Sequence, residues 1–456
     1  MRLAAQAGLT ATAALLAACS GSSEALDSAL SVSLERAGGD MAVKYESAEP
    51  VSRLSFRRVA GPVRADRWRV PDGFTLAHDA AADTDTLARL DGEPFRRVTA
   101  TVPATYAKLP KDYAPFSPFS DGGLLIHSGR FQACPEVCPE DDTNWSQPMR
   151  LMIPNGEHAI VGGEIVRADS ASWVERGDGR KIYLGRAEPV DTPRVVAVVD
   201  PALPAAVREP LDSLLPRLLD AFAAHFGELD AKPELYVSIE APPELEPGMT
   251  SLSAQGGTLP GQVFMHLGGN SWVRPVEEWS DEDLRFLPVF FAHEAAHLFQ
   301  RVRGADREDD ASWIHEGGAD ALALVMLRKL GELDGEGLDA EVAARVDSCA
   351  DGLAEMPLDD AIEQGRFDLH YACGMAVQLA AEAEGADLVE VWRDFHDRVK
   401  GGELWNGNTF RASLSEHGAT RAAALSKRLS ATDGRPARDD LADAVRGWRG
   451  SIGTEG

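Results

Sequence analysis

Within an apolar, helix-favouring run, Phe290-Phe291-Ala292-His293-Glu294-Ala295-Ala296-His297-Leu298 places two histidines four residues apart. At 3.6 residues per turn they lie about 40° apart around a helix, so both imidazoles reach one metal ion, and Glu294, one position along, faces a water held there. Nineteen residues after His297 comes Glu316, inside Trp313-Ile314-His315-Glu316-Gly317-Gly318-Ala319-Asp320, with Asp320 one turn further on the same helical face. Two imidazoles and one carboxylate leave a fourth position for water, the donor set of hydrolytic zinc; ligand type favours zinc over cobalt or manganese, at one ion per chain. Such an ion acidifies its water and polarises a carbonyl, while a neighbouring carboxylate relays the proton to the leaving group. His315 adjoins Glu316 but points about 100° away around the helix, which places it on the cleft rim rather than among the ligands.

These side chains need two helices and a sheet to hold them. Pro288 interrupts the first helix, and the simplest arrangement starts the active helix at Pro288, leaving Ser280-Asp281-Glu282-Asp283 to cap a short preceding segment. Ser312 is the expected cap of the second helix. Adjacent glycines each cost a helix about 1 kcal/mol relative to Ala, so Gly317 and Gly318 imply close approach of the two metal-bearing helices. Upstream, Val195–Val199 and Leu235–Ile239 are continuous apolar runs suited to buried strands. Between them Leu211, Leu214, Leu215, Leu218, Leu219 and Phe222 recur at helical spacing over 205–227. A Gly-rich turn then leads to a third strand, Val263–Leu267, and after residue 281 the pattern is almost entirely helical. The order describes an α+β domain spanning 191–456, a small mixed sheet followed by active-site helices and a helical C-terminal part. Residues 49–190 carry short apolar runs broken by Gly, Pro and Asp, and read as a mostly β N-terminal domain.

With its Glu nineteen residues beyond the second His, the set His293, Glu294, His297 and Glu316 resembles the gluzincin zinc metallopeptidases, which include the thermolysin-like enzymes and the zinc aminopeptidases. The resemblance implies hydrolysis of peptide bonds in a peptide or protein substrate. It makes His293, His297 and Glu316 the zinc ligands, Glu294 the general base and Asp320 the acid that orients His293. His370-Tyr371-Ala372-Cys373-Gly374 is similar to the Tyr-x-x-Gly helix opening of the aminopeptidase type, which gives Tyr371 the role of oxyanion donor, with His370 as the alternative. The same fold class runs an edge strand along the cleft to pair with substrate backbone, a place expected for residues 262–268. The aminopeptidase signature Gly-Ala-Met-Glu-Asn is absent, so no anchor for a free amino terminus is evident, and endo- versus exopeptidase action stays open. Two other readings are a catalytically retired surface lipoprotein that binds a peptide or glycan, and a zinc hydrolase acting on a non-peptide envelope amide.

Composition narrows the setting. With 45 Lys plus Arg against 73 Asp plus Glu, the 456-residue chain carries a net charge of −28, which argues against nucleic acid as a partner. Residues 1–18 read as a signal peptide: the uncharged stretch Leu3–Ala18 is shorter than the ~20 residues a membrane-spanning helix needs. Leu16-Ala17-Ala18-Cys19 resembles the lipobox of bacterial lipoproteins, which implies lipid on Cys19 and anchoring in the cell envelope, with Ser20 matching the outer-membrane pattern. Residues 19–48 are expected to be the tether. Export places Cys134, Cys138, Cys349 and Cys373 where disulfides persist, and proximity favours 134 with 138 and 349 with 373.

Overall fold

The alternation Leu30-Ser31-Val32-Ser33-Leu34 buries every second side chain and forms a strand in the structure, a computed structural model that describes residues 30–109, 113–139, 145–240, 253–302, 304–305 and 312–451. The signal peptide, Cys19 and the acidic stretch 307–310 lie outside the described residues. The N-terminal part is built from β1 (Leu30–Ala37), β2 (Asp40–Val51), β3 (Arg53–Phe56), α1 (Pro62–Arg67), β4 (Phe74–Asp79), β5 (Thr84–Arg89), β6 (Phe95–Pro103), β7 (Phe116–Pro118), β8 (Leu124–His127) and β9 (Ala133–Pro135). It continues with β10 (Gln147–Met152), β11 (His158–Val161), β12 (Glu164–Val166), β13 (Ser170–Glu175) and β14 (Lys181–Gly185). They form sheets ordered β13-β10-β1-β2-β6, β12-β11-β14-β8-β7 and β4-β5-β3-β9 around one apolar core. Strand β1 therefore falls inside the stretch expected to be tether, because the alternation of Leu30, Val32 and Leu34 outweighs the polar residues between them.

The C-terminal half follows with β15 (Val190–Asp191), β16 (Val196–Val199), α2 (Ala205–Phe226), β17 (Glu234–Glu240), β18 (Ser253–Leu259) and β19 (Gln262–Gly268). Its sheet runs β15-β16-β17-β19-β18, with β16, β17 and β19 parallel and β18 antiparallel to β19. Two expectations change here. The Gly-rich segment before Val263 is a strand rather than a turn, and the sheet edge is β18, with 262–268 one place inside it. Gln262 fits that interior place, since its side chain is buried and bonds both backbone groups of Lys181, at 2.7 and 2.6 Å, tying the sheet to the N-terminal domain.

Helices α3 (Asp281–Phe299), α4 (Ser312–Leu330), α5 (Gly335–Glu355), α6 (Asp368–Ala383), α7 (Leu388–Lys400), α8 (Gly407–Glu416), α9 (Thr420–Leu429) and α10 (Arg438–Val445) complete the chain. The active helix does not start at Pro288. A capping box between Ser280 and Asp283 opens α3 itself, and Pro288 lies inside it. The missing amide would have bonded the carbonyl of Leu284, on an exposed residue where water can take its place, so the helix tolerates the proline. Gly317 also has another reason than contact between α3 and α4. A Cβ there would collide with the backbone of Gly374, and one on Gly374 with the carbonyl of Trp313, so α4 and α6 cross backbone to backbone. Gly318 leaves room for the Trp392 indole, whose Nε1 donates to Gln378 Oε1 at 2.8 Å while Gln378 Nε2 donates to Ile314 O at 3.1 Å. The disulfide Cys349–Cys373 ties α5 to α6, and Cys134–Cys138 closes a small loop after β9.

At Gly374 helix propensity and packing oppose each other. Alanine gains up to about 1 kcal/mol in propensity, but it must displace backbone rather than a mobile side chain. Gly374→Ala is expected to cost a net ~1–3 kcal/mol, read as a lower denaturant midpoint at unchanged slope.

Candidate metal centre

One face of α3 carries His293 and His297 inward, and the first turns of α4 bring Glu316 against them. His293 Nε2 and His297 Nε2 lie 3.0 Å apart, and Glu316 Oε2 lies 3.6 and 3.2 Å from them. Ligands at the ~2.0–2.1 Å bonds of tetrahedral zinc stand ~3.3 Å from one another, so these separations bracket one face of a zinc tetrahedron. His293, His297 and Glu316 are also the set among the described residues whose donor atoms converge within 4.8 Å.

Hydrogen bonds fix which nitrogen faces the centre. His293 Nδ1 is 2.7 Å from Asp320 Oδ1, and an ionised carboxylate can only accept. Gln300 Nε2 donates to His315 O at 3.0 Å, which turns its Oε1 toward His297 Nδ1 at 2.7 Å. Both Nδ1 atoms therefore carry a proton, and both Nε2 atoms aim at the same point as the Glu316 oxygen. Three donor atoms converging at about 3 Å require positive charge among them, either a proton on an imidazole or a metal cation in its place, and the donor set fits zinc.

Charge agrees with this geometry. Burial opposes ionisation of Glu316, but hydrogen bonds from His293, His297 and His315 prevail and hold its carboxyl well below the usual range. Burial likewise disfavours a charged His293, yet Asp320 and Glu316 more than reverse it and raise the imidazole to about 10. That proton on His293 offsets the Glu316 carboxylate, and a metal ion would displace it on taking Nε2 as a ligand. Arg345 Nε, 3.1 Å from Asp320 Oδ2, balances the other oxygen of that carboxylate.

Glu294 is buried beside the ligands, and burial pushes its carboxyl up despite the two histidines. Tyr371, on the first turn of α6, stacks on His293 with ring centroids 5.6 Å apart and reaches the Glu316 carboxylate with its hydroxyl. Burial raises its phenol well above the usual value, so it stays protonated. Glu294 and Tyr371 line one cleft of about 470 Å³ with Gly256 of β18, Phe286, Phe290 and Arg345. His370 does not line it; both of its ring nitrogens are buried and lack a hydrogen-bond partner. His315 is closer to the centre than its helical angle suggested: its ring stacks on His297 at 4.2 Å, and its Nδ1 lies 3.3 Å from Glu316 Oε1. Gln300 was missed by the sequence reading, although its place three residues after His297 puts it on the neighbouring helix face.

No protein-family profile matches the sequence, and no curated protein does. In fold the chain is similar to an aminopeptidase N family protein from Idiomarina loihiensis, with a TM-score of 0.60 at 10% identity over 91% of this chain and 78% of that one. An M1 zinc metallopeptidase from Deinococcus radiodurans aligns over 89% of this chain and 92% of its own, at 15% identity and a TM-score of 0.46. The shared feature is the architecture, a mostly β N-terminal domain followed by an α+β part that ends in helices.

If Gln300 orients His297 as described, Gln300→Leu should weaken zinc binding about 10- to 100-fold, measured by competition with a chromophoric chelator.

Proposed function

We propose that this chain is a zinc-dependent metallopeptidase. The observation that carries the reading is the convergence of His293 Nε2, His297 Nε2 and Glu316 Oε2 within 3.0–3.6 Å beside a cleft that also holds Glu294 and Tyr371. His293, His297 and Glu316 hold the ion, and when bound it supplies Lewis acidity toward water and the scissile carbonyl. Glu294 takes the proton of the attacking water and returns it to the leaving amine; its raised carboxyl makes it a stronger base than an exposed glutamate. Tyr371, kept protonated by burial, donates to the oxyanion as charge develops. Asp320 keeps the His293 imidazole in the tautomer that presents Nε2.

The substrate backbone pairs with the outer edge of β18, an end strand of the sheet among the described residues. The same proposal includes export and a lipid anchor on Cys19 in the cell envelope, supported by the leader and the Leu16-Ala17-Ala18-Cys19 sequence.

Parent protein truncated before residue 20 and its Glu294→Ala variant are expected to hold one zinc each, while cleavage of a mixed peptide library falls by about 10²–10⁴ in the variant. Zinc in both proteins with cleavage in neither would overturn the peptidase reading in favour of a binding role.

A further inference from the structure

Strand β18 is weakly specified by its own sequence. It is a sheet edge, it contains Gly256 and Gly257 side by side, and glycine in a strand costs backbone entropy and offers nothing to pack. Its conformation depends on what lies against its two faces. On one face, Gly256 meets α3: a Cβ there would collide with the ring of Phe290, one turn before His293. The other face carries Gln255 and Gly257, and it meets two tyrosines of the N-terminal domain, both from the segment between β6 and β7.

The two tyrosines lie against alternate rungs of the β18–β19 ladder, on one face. Gln255 pairs with His266, and Tyr106 stacks flat on that imidazole, with ring centroids 3.9 Å apart and planes 15° apart, while its hydroxyl donates to Gln255 Oε1. Burial holds His266 down at about 4, so the ring under Tyr106 is neutral, and its Nδ1 lies 3.0 Å from Ser238 Oγ on β17. Gly257 pairs with Phe264, and Tyr113 packs edge-on against that ring at 4.7 Å. The Tyr113 hydroxyl donates to Thr258 O at 3.3 Å and lies 2.6 Å from where a Gly257 Cβ would be. Gly257 is therefore open to Tyr113 as Gly256 is open to Phe290.

We propose that Tyr106 and Tyr113 are positioning residues for substrate: the N-terminal domain clamps β18 against α3, setting the height of its outer edge so that a peptide lying in the cleft pairs with it. This rests on the peptidase reading for the identity of the ligand, but the clamp itself is a property of the chain. It gives the N-terminal domain a part in substrate binding, although it contributes none of the metal ligands.

The test uses Tyr106→Phe, Tyr113→Phe and the double variant in the two-domain protein. These changes remove only hydroxyls and keep both rings. Hydrogen–deuterium exchange is expected to accelerate in residues 253–259 of the double variant, with β17 and α3 unchanged. For an octapeptide substrate KM should rise about 2- to 10-fold per hydroxyl lost at constant kcat. A single-amide chromogenic substrate, too short to reach along the strand, should be hydrolysed as by the parent, and zinc should stay at one per chain. Unchanged exchange in 253–259, equal KM shifts on both substrates, or parallel loss of zinc and of all activity would each overturn the proposal. If the parent cleaves neither substrate, the peptidase reading fails by itself, and the exchange result alone decides whether the tyrosines hold the strand.

Discussion

Two histidine nitrogens and a carboxylate oxygen pointing at one buried spot form an arrangement that needs positive charge among them, a proton or the metal cation that displaces it. Much of the C-terminal half can be understood as the support for that arrangement. Asp320 and Gln300 fix the two tautomers, and each is itself held, Asp320 by Arg345 and Gln300 by the carbonyl of His315. A charged acceptor serves one imidazole and a neutral amide the other. Glu294 is buried beside them, and burial outweighs the two histidines to push its carboxyl up.

Such a centre needs helices that do not slide. Between α4 and α6 the contact is backbone on backbone at Gly317 and Gly374, flanked by the Gln378 amide, which bonds α4 at one end and Trp392 at the other. Cys373 adds a covalent tie to α5 two residues after Tyr371. The side chain that reaches the centre from α6 thus sits between a close-packed crossing and a disulfide, and its hydroxyl has little freedom to drift from Glu316.

Chemistry was easier to read in the sequence than architecture. His293 with His297, and Glu316 with Asp320, lie four apart on helices, and the resemblance of His293, Glu294, His297 and Glu316 to the gluzincin pattern is what implied their roles. The helix at 205–227 and the strands at 195–199, 235–239 and 263–267 were legible from the spacing and runs of their apolar residues. The edge strand was not, because Gly256 and Gly257 look like a turn until Phe290 and Tyr113, remote in sequence, are seen filling the space beside them. Pro288 misled in the opposite way: a local rule placed a helix start there, whereas the capping box at Ser280 opens the helix earlier and the exposed position of Leu284 lets it run through the proline. The first two strands hid among Ser, Ala and acidic residues, and only their alternation betrays them.

The central claim is that His293, His297 and Glu316 surround one zinc ion, and X-ray absorption at the zinc edge of the purified protein tests it most directly. The account predicts one zinc per chain with a nitrogen and oxygen shell at about 2.0–2.1 Å and scattering from two imidazoles, reduced to one imidazole in His297→Ala. A sulfur shell at about 2.3 Å, or a metal environment unaffected by that substitution, would contradict it.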